Sequence, residues 1–556
     1  MTALAAPLTL AHMKIVVADK ISDRGLELLR EPGWNVVVPA KGEAATALAD
    51  ADALVVRSAT RVNDELLERA PRLRVVGRAG VGVDNIDVEA ATRRGVLVMN
   101  TPGSNAVSVA EHTLALLLAL ARSVPQMNAS IHSGKWEKSG AAGTEVRGKT
   151  LGLAGLGRVG SEVARRARAL EMTVIAADPY ISPQAARDAG VELVSLEDLL
   201  RRSDFLSLHM ALSPSTQEIF NAEAFAKMKR GARLINTARG ELIREPALAE
   251  ALESGHLAGA ALDVFAEEPP KNSPLTGLQN VIATPHVAGS TAEAQEEVGT
   301  LIAQQVRDYL AEGVLRNAVN LPTLSAEQYR RVRPYLDLAE RLGSFATQLA
   351  PGRSGRVRVC YAGELTEMPT YLLRNAVVAG VLNCALEEKV NLVSAGAAAA
   401  ARGLVVEECT RRREQGFPNT LEVNVAPVEG ASSSSPHGRG ERTVEGTVLY
   451  GSQLRMLSID GIPLEAPLAG TLLFTRNRDV PGVIGQMGTV LGSRGVNIAT
   501  FSLGRATSPS ADASRAADAM AVVRLDGEVP PAIIEAILGI APVFEARLIR
   551  LPAERE

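Results

Sequence analysis

A chain of 556 residues is longer than one hydrophobic core can hold, so three or four domains are expected. Hydrophobic residues at 46% and charged residues at 22% are those of a globular protein, and 59 Lys plus Arg against 63 Asp plus Glu leave no basic excess for a nucleic-acid footprint. Three cysteines, Cys360, Cys384 and Cys409, offer no close pair to clip a metal, and their odd number argues against a disulfide framework. The longest apolar run, Leu114–Ala121, is far short of the ~20 residues that span a bilayer. Met1–His12 holds no Arg or Lys and is too short for a transit or secretory signal, so the chain reads as soluble, intracellular and in a reducing compartment.

From Lys14 to about Gly103, β-branched runs alternate with amphipathic stretches. Lys14–Ala18, Leu54–Val56, Arg74–Gly77 and Val96–Met99 read as buried strands; Ser22–Arg30 and Asn63–Arg69 read as helices, each opening on an N-cap residue. Such alternation implies a parallel, doubly wound sheet. Val107–Arg122 is an apolar helix, read as core or domain-joining, with a subunit interface as a compatible second reading. The α/β rhythm resumes at Lys149. Strand Thr150–Ala154 runs into Gly155-Leu-Gly157-Arg-Val-Gly160 and a helix to about Leu170, then strand Met172–Ala177 ends at Asp178 before Pro179. Further strands fit Phe205–Leu208, Ala232–Asn236, Ala258–Asp263 and Val281–Ala283, completing a second α/β unit.

Beyond about Pro322 come Ala-rich helical stretches and a polar insert, Glu429–Arg442, expected to be a loop because it has almost nothing apolar to bury. From Gly470 the order is strand Thr471–Thr475, helix Val483–Ser493, strands Val496–Phe501 and Ala519–Leu525, helix Pro531–Leu538 and strand Val543–Ile549. That is the split β-α-β layout, its central hairpin interrupted by a second polar insert, Thr507–Asp518.

A G-x-G-x-x-G alone is a weak signal. Here Gly155, Gly157 and Gly160 follow a strand and open a helix, and Asp178 comes eighteen residues past the last glycine, at the end of the next strand. Glycines there allow a tight turn, close approach to a pyrophosphate and helix–strand packing, while the helix N-terminus offers free N–H groups to phosphate. Asp178 suits the adenosine ribose hydroxyls and repels a 2′-phosphate, so NAD is expected over NADP. A second glycine-rich stretch, Gly77-Arg78-Ala-Gly80-Val-Gly82, lacks the third glycine at the right spacing; it places a cation, Arg78, at a strand end.

Hydride removal from a hydroxy acid needs a cation for the carboxylate, a base for the hydroxyl proton and a group to tune that base. Arg239, in Thr237-Ala238-Arg239-Gly240, follows one strand of the second unit; Glu268 follows the next, and His286, in Thr-Pro-His, the one after. All three fall at the carboxyl edge, where open α/β sheets bind ligands. A guanidinium meets a carboxylate through two parallel bonds, an imidazole exchanges protons near neutrality, and a carboxylate beside the imidazole fixes its orientation and favours its charged form. Singly, each residue has a bland reading as a surface salt-bridge partner, a structural histidine or a loop stop. Their succession after three strands of one unit favours catalysis.

With Gly-Leu-Gly-Arg-Val-Gly and Asp178, these residues make the chain resemble the D-2-isomer-specific 2-hydroxyacid dehydrogenase family. Arg57-Ser58-Ala-Thr, Gly77-Arg78-Ala-Gly80-Val-Gly82-Val-Asp-Asn and Asn100-Thr-Pro-Gly-Ser-Asn105 resemble its long-form members that act on 3-phosphoglycerate. The resemblance implies a flavodoxin-like substrate domain (13–106 plus 289–322), an NAD-binding Rossmann domain (107–288), an intervening allosteric-substrate-binding domain (323–467) and a ferredoxin-like ACT regulatory domain (468–556). It further implies NAD as cofactor, oxidation of 3-phospho-D-glycerate as the first step of the phosphorylated route to L-serine, L-serine as an effector, and a homodimer or homotetramer in the cytoplasm, or in a plastid.

On the same footing Arg239, Glu268 and His286 would be catalytic, with Arg239 and His286 also touching substrate. Arg57, Ser58, Arg78 and Asn105 would bind substrate, the arginines meeting its phosphate. Arg158, Val159, Thr237, Ala238, Asp263 and Gly289 would join the glycines at the cofactor, and Asp479 and Asn497 would bind serine. The chain departs from the family pattern at Arg244, at Val-Ala-Gly after His286, at Asn477, and in 135–143, where a bulky aromatic is missing. Two alternatives were weighed. A reductase of glyoxylate, hydroxypyruvate or lactate would not need Arg57 and Arg78 as a phosphate clamp, and an NAD-sensing corepressor would need a partner-peptide surface of which the sequence shows no sign.

Overall fold

The computed structural model describes residues 12–40, 42–136, 142–350, 352–386, 389–412, 417–428, 440–505, 518–527, 529–530 and 532–552. Most of the first segment, 137–141 and nearly all of both polar inserts lie outside these residues, so the expectations placed on them are not addressed.

Strands Asn35–Val37, Lys14–Val17, Ala53–Val56, Val75–Arg78 and Leu97–Met99 lie in that spatial order, all parallel, the flavodoxin-like 2-1-3-4-5 arrangement. The short helices between them start where the sequence indicated: Ser22 accepts from the Gly25 N–H and Asn63 from the Leu66 N–H. The chain then leaves through helix Ala106–Arg122, whose Leu114, Leu117 and Leu120 are buried against the next sheet. It returns through helix Ala292–Glu312, where Gly25 and Gly299 let two helices touch and where Ile302 and Val306 press on Gly77. After that helix, Val319 donates to Val98 and Asn320 bonds Val98 and Val96, tying 292–320 to the first sheet.

The second sheet has seven parallel strands, in spatial order Val281–Ala283, Gly259–Leu262, Arg233–Asn236, Phe205–Leu208, Thr150–Ala154, Thr173–Ala177 and Glu192–Leu193. The order reverses between Thr150–Ala154 and Phe205–Leu208, and a doubly wound sheet opens a ligand crevice at that point.

The region after Pro322 is the smaller α+β unit that the resemblance implies, with strands that the residue pattern alone did not mark. Helix Ala326–Leu349, opened by a Ser325–Gln328 capping box, lies on a six-stranded sheet ordered Val405–Thr410, Ser354–Ala362, Thr420–Pro427, Arg442–Leu449, Gln453–Ile459, Ile462–Pro467. The Ala-rich segment is only the short helix Ala395–Ala401. Arg442 is not loop but the first residue of a strand, with its guanidinium paired to Asp460 and Glu545; Asp518 likewise starts a strand and pairs with Arg476. Partners distant in sequence satisfy these charges, which local composition cannot show. The cysteine expectation is corrected too. Cys360 and Cys409 are register partners on neighbouring parallel strands, with Cα atoms 4.5 Å apart, and form a disulfide; only Cys384 is free.

Strands Asn497–Arg505, Asp518–Asp526, Thr471–Arg478 and Val543–Arg550 form the last, antiparallel sheet, with helices Val483–Gly492 and Ala532–Leu538 on one face. Period-two alternation divides its side chains. Leu473, Val523 and Leu525 pack under those helices, whereas Leu472, Phe474, Val522 and Ile549 join the core of the preceding unit.

Candidate active site

The three glycines of the nucleotide turn do three different jobs. Gly155 has φ +102°, and a Cβ there would fall 2.7 Å from the His209 carbonyl oxygen; one on Gly160 would fall 2.3 Å from the Gly155 oxygen. Those two are fixed by packing. A Cβ on Gly157 would meet nothing within 4 Å, so this turn is open on the side from which a ligand approaches. Gly157 also caps helix Arg158–Ala169 without a side-chain bond, leaving first-turn N–H groups for an anion. Asp178 is half-buried beside the turn, one oxygen accepting from the Leu156 N–H and the other from the Tyr180 N–H, each at 2.8 Å. A bare backbone cradle with a fixed carboxylate at the next strand end fits a dinucleotide. Val159 is half-buried just inside the helix, and the Arg158 guanidinium donates to the Pro102 carbonyl across the join between the two sheets.

Arg78 ends its strand with a guanidinium that is largely buried, and its Nε has no hydrogen-bond partner. Burial pulls its pKa below the ordinary value; Asp84 opposes this, while Arg239 and Arg57 add to it. Arg57 and Arg78 come from the first sheet and Arg239 from the second, and all three border the turn 80–85: Arg78 at Gly80, Arg239 at Gly82, and Arg57 through its carbonyl, which accepts from the Asn85 amide. The second glycine-rich stretch makes room for them. A Cβ on Gly80 would fall 2.0 Å from Arg78 Nη1, and one on Gly82 would fall 2.3 Å from Arg239 Nη2. Arg239 donates to Asp84 at 3.1 Å, a partner the sequence reading passed over although it lies two residues beyond Gly82. Arg57 is half-buried, Ser58 is exposed, and the backbone around them is pinned by Asp19, which accepts from the Arg57 N–H. Asn105 sits at the start of the connecting helix against Gly289, whose Cβ would fall 2.6 Å from its amide nitrogen.

His286 Nδ1 lies 2.7 Å from Glu268 Oε2, and both side chains remain partly exposed. With Nδ1–H donated to the carboxylate, Nε2 is the free acceptor. His286 adopts φ +52°, a left-handed conformation that costs a β-substituted residue about 1–3 kcal/mol unless its surroundings enforce it. Asp263 enforces it. Its carbonyl accepts from the His286 N–H, and its carboxylate accepts from the Val287 and Ala288 N–H groups and the Thr284 hydroxyl. Asp263 is 0% exposed and braces the His286 segment from the strand end. Thr237 is also buried, its hydroxyl bonded to Thr113 inside the connecting helix at 2.8 Å. Ala238 donates its N–H to Asn236 at the strand end beside Arg239.

Residues 114–288 match the family described as D-isomer specific 2-hydroxyacid dehydrogenase, NAD binding domain, and residues 331–460 match the D-3-phosphoglycerate dehydrogenase intervening domain. The D-3-phosphoglycerate dehydrogenase of Synechocystis is 40% identical over 97% of this chain and 95% of its own length. The chain belongs to the D-3-phosphoglycerate dehydrogenase family. The enzymes of that name from Methanocaldococcus jannaschii and Bacillus subtilis are 39% and 37% identical, each over 97% of this chain and 100% of their own. Among solved structures, a glyoxylate reductase from Paecilomyes thermophila superposes with TM-score 0.52 at 31% identity, covering 56% of this chain and 98% of its own.

In the last unit, Asp479 and Asn497 are the two residues expected at an effector site. Asp479 lines a cavity of about 350 Å³ together with Asn477, Val483, Met487, Phe501 and Arg505, and its carboxylate pairs with Arg505 at 3.0 Å. Asn497 opens the edge strand, and its amide donates to its register partner Asp526 on the neighbouring strand.

Proposed function

We propose that the chain oxidises 3-phospho-D-glycerate to 3-phosphohydroxypyruvate with NAD, opening the phosphorylated route to L-serine. The observation that carries this reading is that Arg78 and Arg239 line one turn, at Gly80 and Gly82, while Gly240, next to Arg239, lies against the loop that carries Glu268, the partner of His286. A phosphorylated hydroxy acid carries about three negative charges at neutrality, and three guanidiniums match that number. Arg239 holds the carboxylate, and Arg57 and Arg78 hold the phosphate with help from Ser58 and Asn105. His286 Nε2 takes the hydroxyl proton, and Glu268 stabilises the imidazolium that results. NAD, when bound, supplies the hydride acceptor. Gly155, Gly157 and Gly160 with Asp178 hold it, and Arg158, Val159, Ala238 and Gly289 flank it.

Regulation belongs to the same proposal. The last unit has the strand order 2-3-1-4 of a ferredoxin-like fold and supports an ACT reading, with L-serine as effector at the Asp479 cavity. Exposed Leu118, Val124 and Ile131 on and after the connecting helix support self-association as a homodimer or homotetramer.

Initial rates of NADH formation with 3-phosphoglycerate, D-lactate, D-glycerate and 2-hydroxyglutarate test the reading. A strong preference for the phosphorylated acid, lost by roughly a thousandfold in kcat for His286→Asn, is expected. Turnover of the unphosphorylated acids at equal efficiency would overturn it, and insensitivity to L-serine would overturn the effector assignment alone.

A further inference from the structure

The reactive pair stands on two loops. Asp263 braces the His286 side. Glu268 belongs to the other loop, which runs from the strand end at Leu262 toward Ser273. Its own anchorage is slight, since its Oε1 accepts only the Phe265 N–H at 3.2 Å.

We infer that Glu245 is a positioning residue for the acid/base pair, holding the Glu268 loop at both ends. Glu245 is the first residue of helix Glu245–Glu253 and is half-buried. Its Oε1 accepts the Ala266 N–H at 2.9 Å, two residues before Glu268, and its Oε2 accepts the Ser273 hydroxyl at 2.5 Å, five residues after. A second contact joins the same two segments independently. Gly240 lies so close to the loop that a Cβ on it would fall 1.9 Å from the Phe265 carbonyl carbon and 2.4 Å from the Ala266 nitrogen. Gly240 follows Arg239 directly, so residues 239–245 carry the carboxylate clamp at one end and the loop brace at the other. The brace therefore sets the distance between the group that holds the substrate and the group that polarises its base. A charged acceptor bonded to a backbone N–H and a hydroxyl is the stronger class of hydrogen bond, which suits a stretch that leaves the core after Phe265 and is exposed from Ala266 to Pro269.

The inference rests on the proposed hydroxy-acid oxidation but not on its phosphorylated substrate, so it is tested with whichever 2-hydroxy acid the wild-type enzyme oxidises. Three variants of the full chain are compared, Glu245→Ala, Glu245→Gln and Ser273→Ala. Glu245→Ala is expected to lose roughly thirtyfold in kcat, with KM for the acid and the dissociation constant for NAD each moved less than about threefold, because distances as small as 1 Å govern the transfer step. Substrate deuterated at C2 should then show a larger primary isotope effect on kcat than in wild type, since the chemical step has slowed. Glu245→Gln keeps an acceptor for Ala266 and can exchange donor and acceptor with Ser273, so it should recover most of the rate; Ser273→Ala should lose only a few-fold. An isotope effect unchanged in Glu245→Ala, a Gln variant as slow as the Ala variant, or NAD affinity falling in step with kcat would each overturn the inference. A wild-type enzyme active on D-lactate but not on 3-phosphoglycerate would instead count against the substrate proposal and leave this comparison intact.

Discussion

Two glycine-rich turns follow strands in this protein, and they solve opposite problems. At Gly155–Gly160 the glycines keep side chains away so that something from outside can approach the backbone: Gly157 has empty space where its Cβ would be. At Gly80 and Gly82 the space is already filled from within, by the guanidiniums of Arg78 and Arg239. One turn is a cradle for a ligand's phosphates, the other a recess for the protein's own cations. Glycine content alone does not distinguish them. What differs is whose atoms occupy the missing side chain's place.

The comparison breaks most visibly at Gly82. Gly82→Ala should drive Arg239 from its place and cost about 2–3 kcal/mol, on the order of a hundredfold in kcat/KM for the hydroxy acid. The NAD dissociation constant should stay within about twofold, and a parallel loss of NAD affinity would show that the two turns are not separable. The reciprocal change is Gly157→Ala. It meets no protein atom, so Tm should move by no more than about 2 °C, while NAD affinity falls about tenfold as the methyl group blocks the pyrophosphate. A drop in Tm of the size expected for Gly160→Ala, whose Cβ lands 2.3 Å from the Gly155 oxygen, would contradict the open-cradle description.

A smaller effect sharpens what the cradle selects. Asp178→Ser should raise the NADP-to-NAD ratio of kcat/KM about fivefold by removing the carboxylate that repels a 2′-phosphate, read from steady-state kinetics with both cofactors. The smallest concerns pH. His209 backs onto Gly155, bonds Ser207, and is pulled by burial from 6.5 to about 4. Between those values the unfolded chain binds a proton that the folded protein refuses. This contribution is full above about pH 6.5 and lost as pH falls toward 4, on the order of 1 kcal/mol given its partial exposure. Thermal melts from pH 7 to pH 5 should fall more steeply for wild type than for His209→Asn, and equal slopes would remove His209 from the account. Among the described residues no histidine is among the atoms nearest Gly80 or Gly82, so the pH effect belongs to the cradle side.

Legibility followed the range of the interactions. Strand starts, the Ser22 and Asn63 caps and the nucleotide turn depend on neighbours within a few residues and were readable. The sheet after Pro322 was not, because its strands mix polar and apolar residues and its charges are met from afar: Arg442 reaches Glu545, 103 residues on. The Cys360–Cys409 bond has the same cause, since 49 residues separate two positions that strand register makes adjacent. Among the site residues, the partners of Asp263 and Thr237 were not legible, because nothing local says which backbone or hydroxyl groups a polar side chain at a strand end will meet.

By itself the sequence determined the α/β class, the nucleotide turn with Asp178, and the three strand ends that carry Arg239, Glu268 and His286. Those rest on backbone periodicity, on glycine's freedom and on the rule that ligands meet the carboxyl edge of a parallel sheet. Only the tertiary structure brought Arg78 and Arg239 to one turn, set the carboxylates of Asp263 and Glu245 on backbone N–H groups of the loops that carry His286 and Glu268, and placed Asp479 in a cavity against Arg505. Each of those outcomes depends on how two distant segments pack, and packing is settled by the whole chain's burial and hydrogen bonding, not by any one segment's composition.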